Sequence, residues 1–145
     1  YWFWKRSAPP ASMDIFNAPS RENCCVRRER TNTPLQALVT MNDPQFVEAA
    51  RFLADSALEA GGDTDVKRIQ FLAARLVARP FTAEEVGIVA RSLDELTAWY
   101  AAHPEEAKQV IAVGASKPRS ADATRLAAWT MLTNELMNLD EVLCK

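Results

Sequence analysis

The densest run of chemically capable side chains in this sequence spans Arg27 to Asp43. It opens on Arg27, Arg28 and Arg30, continues through Asn32, Thr33 and Gln36, and closes on Asn42 and Asp43. The three guanidinium groups stand just ahead of Thr33-Pro34, a pair that starts a helix: the threonine oxygen caps the first amides, and proline has no amide hydrogen to leave unpaired there. A helix start presents free N–H groups and the positive end of the helix dipole, and arginine grips carboxylate or phosphate with two parallel bonds. These eight residues therefore form a candidate site for an anion, either an anionic carbohydrate or an acidic segment of a protein partner. The same residue types also suit a brace. The arginines would pair with acids of a helical body, and Asn32 and Gln36 would tie loop backbone. Residue types and spacing leave both readings open.

Elsewhere the sequence shows no catalytic constellation. His103 is the only histidine and precedes Pro104, so it reads as a helix cap. Zinc needs closely spaced Cys and His pairs, and covalent c-type haem needs Cys-x-x-Cys-His; neither pattern occurs. No cofactor is expected on this chain. The acid pairs Glu84-Glu85, Glu105-Glu106 and Asp140-Glu141 fall in expected first turns of helices, where the helix dipole accounts for them. Cys24, Cys25 and Cys144 make no disulfide framework and read as ordinary thiols, with Cys144 within reach of the other two only if the chain ends pack together.

Prolines and small polar caps divide the rest of the chain. Thr33-Pro34 and Asp43-Pro44 predict helices over about 34–41 and 44–59, the second stopped by Gly61-Gly62. A third is expected from Asp63-Thr64 to Arg79, where Pro80 ends it. Thr82-Ala83-Glu84-Glu85 is a capping box for a fourth. Pro104 opens a short helix to about Val113, and the last long one covers about 122–138, followed by a turn at Asp140–Cys144. Residues at helical spacing mark the inward faces: Phe46, Ala50, Leu53 and Ala57; Ile69, Leu72, Ala73 and Leu76; Val86, Val89, Leu93, Leu96 and Tyr100; Leu126, Trp129, Leu132 or Thr133, and Leu136. The fold class is all-α, an irregular bundle of about five to six helices over residues 33–145 with short connections.

Residues 1–32 lack helical period and read as a long non-helical arm, with Trp2, Phe3, Trp4, Met13, Ile15, Phe16 and Val26 as its apolar anchors. Residues 1–34 hold six basic side chains against three acidic ones, so the arm is basic on an acidic body. The opening Tyr1-Trp2-Phe3-Trp4 would stack on sugars or bases, or pack on an upstream domain of the same polypeptide; the second is the expectation here. The net charge of −2 gives no global pull toward nucleic acid. No apolar run approaches the roughly 20 residues of a membrane span.

The run from Arg27 to Pro44 resembles the signature of the family called domain of unknown function 1553, a planctomycete-type domain. Tyr1–Arg6 through Pro9-Pro10, Phe16–Glu22 and the closing Asn138–Glu141 are similar to it as well. The resemblance implies a C-terminal domain of a large, secreted or periplasmic protein whose N-terminal part carries a c-type cytochrome domain. It also implies a place in machinery that breaks down complex organic matter. The haem belongs to that other domain, and no residue here inherits it. The expected function is a non-catalytic structural or interaction module. The alternative is an anion- or sugar-binding part of a degradative active site shared with the upstream domain.

Overall fold

The computed structural model describes residues 11–19, 24–27 and 31–144. The aromatic run Tyr1–Trp4, together with Arg28 and Arg30, lies outside them. Among the described residues there are eight α-helices and no strand: α1 (Ala11–Ile15), α2 (Pro34–Asn42), α3 (Pro44–Ala60), α4 (Asp65–Leu76), α5 (Ala83–Ala102), α6 (Pro104–Ile111), α7 (Ala123–Met137) and α8 (Asp140–Leu143). The fold is all-α.

The punctuation works locally as its chemistry dictates. Thr33 and Thr82 each cap the amide three residues on, and each cap amide is met in return by the side chain there, Gln36 and Glu85 respectively. Asp43 closes α2 with its own N–H on the Val39 carbonyl and opens α3 by accepting from the Gln45 amide at 2.8 Å. One residue thus turns the chain between two helices. Thr64 and Asp122 cap α4 and α7 in the same manner.

Helix α7 is the hub. It packs against α2, α3, α4, α5, α6 and α8, and Leu126 through Thr130 are buried on every side. A helix apolar around its whole circumference belongs in a core. Trp129, Leu126 and Leu132 of α7 meet Ala54 and Ala57 of α3, Ile69 and Leu72 of α4, and Leu93 and Tyr100 of α5 in one cluster. The alanines of α3 permit a close approach to α7. Two buried threonines on α7 remain compatible with this core because each hydroxyl donates to the carbonyl four residues back at 2.7 Å, Thr130 to Leu126 and Thr133 to Trp129.

The helix bounds and the arm depart from the sequence reading in three places. Helix α4 ends at Leu76, three residues before Arg79, because Ala78 takes a left-handed backbone (φ 59°) that reverses the chain before Pro80 acts. Helix α1 falls inside the segment read as non-helical. Val26, expected as an apolar anchor, is fully exposed, whereas Phe16 lies 5.9 Å from Phe46, ring centre to ring centre.

Candidate functional site

The described residues of the Arg27–Asp43 run divide sharply by what they touch. Gln36, 3% exposed, is the centre. Its Oε1 accepts the Thr33 amide at 2.9 Å, while its Nε2 donates to the Ile15 carbonyl at 2.8 Å and to the Thr31 hydroxyl at 3.0 Å. Asn17 donates to that same hydroxyl at 2.6 Å. One amide side chain therefore caps α2 and holds the arm across it. Thr40, one turn further, donates to the Gln36 and Ala37 carbonyls and also meets the Asn138 side chain at the end of α7. Asn134 of α7, buried, donates to the Met41 carbonyl at 3.3 Å.

The outer residues of the run are exposed but mostly engaged. Asn32 donates to the Asp140 carboxylate at 3.2 Å, joining the arm to the start of α8. Asn42 donates to the Leu38 carbonyl one turn back at 2.8 Å. Thr33 and Asp43 are caps, as above. Arg27 is exposed and has no ion-pair partner among the described residues; the carbonyl of the same residue accepts from the Cys25 thiol at 3.3 Å. Cys24 and Cys25 are exposed rather than buried, and no disulfide joins the three cysteines.

The match to known sequences bears on the same stretch. A family model described as PSD1, protein of unknown function (DUF1553), covers residues 1–93. The chain belongs to the PSD1 family. No curated protein and no solved structure matches it. The matched part of the PSD1 chain holds the Arg27–Asp43 run and α2 to α4, and ends within α5. Asn138 and Asp140, which complete the hydrogen bonds of that run, lie beyond it.

A second polar cluster of this PSD1 chain escaped the sequence reading. Glu48, Arg51 and Asp55 sit at spacings of three and four on α3, so they share one face. They hold the loop between α6 and α7. Glu48 accepts the Ser116 amide at 2.7 Å, the Ala115 amide at 3.1 Å, and the Ser116 hydroxyl. Those bonds, the Ser116 hydroxyl foremost, hold its carboxyl down at about 2, against an ordinary 4.5. Arg51, 2% exposed, donates from Nη2 to the Ser116 carbonyl at 2.8 Å and its hydroxyl at 2.9 Å. Asp55, 3% exposed, accepts the Arg119 and Ser120 amides at 3.2 Å each. The residues between Val113 and Asp122 fall between two helices expected from the sequence, and they form a loop. The signal for its clamp was the spacing of three charged residues on a helix that otherwise reads as amphipathic.

Several other polar groups are also tied to structure. Arg79 bridges Glu85 at the start of α5 and Glu141 of α8, with closest approaches of 2.8 Å to each. The Arg79 guanidinium, then the Thr82 amide, pull the Glu85 carboxyl down to about 2. His103 stands at the N-cap of α6, but its side chain makes no cap bond there. Its Nδ1 lies 2.9 Å from the Trp99 carbonyl at the end of α5, and its ring stacks on Trp99 at 4.1 Å. The Trp99 carbonyl, which also accepts the His103 amide at 3.0 Å, takes the ring N–H on its second lone pair. Among the described residues no group of three or more His, Cys, Asp or Glu side chains is placed to hold a metal. No helix among them is long and apolar enough to cross a membrane.

Proposed function

We propose that this PSD1 domain is a non-catalytic interaction module, docking through α2 onto an upstream domain of the same polypeptide. One observation carries the reading. The inward side of α2 is occupied by Gln36 and Thr40, while Leu35, Leu38 and Met41 stand exposed on its other side. Three large apolar residues at spacings of three on one short helix form a stripe of the kind that partners cover. Asn32, Thr33, Gln36, Asn42 and Asp43 support this reading, because their side chains are engaged in hydrogen bonds around α2. The resemblance supplies the wider setting: a C-terminal position in an extracytoplasmic protein with a c-type cytochrome domain upstream.

The test is Leu35→Glu with Leu38→Glu, made both in this chain and in the longer polypeptide. In this chain the double variant unfolds within about 0.5 kcal/mol of the parent per exposed site. In the longer polypeptide it removes the hydrogen-exchange protection that the upstream domain confers on α2. Equal protection of α2 with and without the upstream domain overturns the docking reading.

A second reading rests on Arg27, exposed and unpaired among the described residues. It makes the arm an anion- or sugar-binding contribution to a degradative site. Titration of the longer polypeptide with sulfate or a uronic acid, followed by tryptophan fluorescence, separates the two. A saturable change lost in Arg27→Gln favours this second reading; no change at millimolar ligand removes it.

A further inference from the structure

A groove of about 410 Å³ lies between α3 and α4, and none of its lining residues belongs to α2 or to the clamped loop. Its lining is Ala49, Phe52, Leu53 and Ser56 from α3 with Phe71 and Arg75 from α4. We propose that this groove binds a small aromatic carboxylate, its ring seated between Phe52 and Phe71 and its charge on the Arg75 guanidinium.

The size and lining come first. Small-molecule sites run from roughly 300 to 1,000 Å³ and are mostly apolar with a few placed polar groups. This groove is at the small end of that range, and aromatic rings stand on both of its walls. Phe52 is 49% exposed, although it lies on a helix that packs into the core. A protein partner is the poorer fit. Of the large exposed apolar residues among those described, only Phe52 belongs to the lining, and a stable protein interface buries roughly 800 Å² per partner.

The charge comes second. Ser56 already donates its hydroxyl to the Phe52 carbonyl at 2.9 Å. Arg75 is different. Arg51, Arg68, Arg79, Arg119 and Arg125 each reach a carboxylate. Arg75 reaches none among the described residues, and its guanidinium stays at the rim, 5.1 Å over the centre of the Phe71 ring. Arg119, which is not part of the lining, lies 4.4 Å over the Phe52 ring while engaged with Glu59 at 3.4 Å. Phe52 is thus propped by a committed cation, and Phe71 carries one with unused donors. A carboxylate bound beside an aromatic ring satisfies both the apolar walls and those donors.

The probe is 1-anilinonaphthalene-8-sulfonate, an aromatic anion that fluoresces when desolvated, displaced from the 145-residue chain by 2-naphthoate or by the uncharged 2-naphthalenemethanol. One saturable site is expected, with Kd on the order of tens of micromolar. Naphthoate should displace the probe about tenfold more effectively than the alcohol, the difference of one charge-assisted pair. Arg75→Gln should erase that preference without lowering the melting temperature. Ala49→Trp, at an exposed lining position, should fill the groove and remove displaceable binding of both ligands. The inference is overturned if the probe shows no saturable site, if Arg75→Gln keeps the preference for naphthoate, or if Ala49→Trp binds like the parent. Because neither variant touches α2, failure here leaves the docking reading standing.

Discussion

The Gln36 side chain donates to the Ile15 carbonyl at 2.8 Å, so a residue in the first turn of α2 holds the arm that precedes it. Removing it as Gln36→Ala breaks half of a capping box and leaves a part-buried carbonyl unpaired, with an expected loss of about 2 kcal/mol in urea unfolding. Gln36→Glu keeps an acceptor for the Thr33 amide but turns a carboxylate toward the Ile15 carbonyl. It should also destabilise, which separates the arm contact from the cap.

Arg51 makes a comparable hold on the loop before α7. Arg51→Ala leaves the Ser116 carbonyl without its buried donor and opens space beside α3, a loss of about 3 kcal/mol. The loop should then open to trypsin at Arg119–Ser120; cleavage at Lys117 is blocked by Pro118. An unchanged digestion rate at Arg119 would show that Arg51 does not fasten the loop.

Acid should loosen the same clamp. The Glu48 carboxyl titrates at about 2 in the folded chain against an ordinary 4.5, and Glu85 likewise. A depressed folded value means the stabilisation is complete above the unfolded value near 4.5 and is lost as pH falls through about 2. The melting temperature should therefore fall between those limits. The fall should be shallower in Glu48→Gln and shallower still when Glu85→Gln is added.

Gly114 stands where α6 has ended and the clamped loop begins. Its φ is +97°, and a Cβ there would lie 2.5 Å from the Glu48 carboxyl carbon and 2.7 Å from the Glu48 Cβ. Gly114→Ala should cost about 1–2 kcal/mol from the left-handed backbone and the displaced Glu48 together. Raised hydrogen exchange at the Ala115 and Ser116 amides would report the displacement directly.

What the amino-acid sequence determined by itself is the division into helices. Thr33-Pro34, Asp43-Pro44 and Thr82–Glu85 act through groups only a few residues away, so their effect is written in the local order of residues. The inward apolar positions followed from helical period for the same reason, and Leu72, Leu93, Leu126 and Trp129 are all in the core. Tertiary structure alone decided what the polar residues other than the caps hold. Gln36 reads as a loop-binding amide, but that its partner is Ile15 depends on how the arm crosses α2. Glu48, Arg51 and Asp55 read as the wet face of a helix until α6 and α7 bring residues 115–120 against it. Hydrogen bonds across 60 or more residues carry no periodic signature, because the chain folding that makes them is set by the apolar faces rather than by the polar groups themselves.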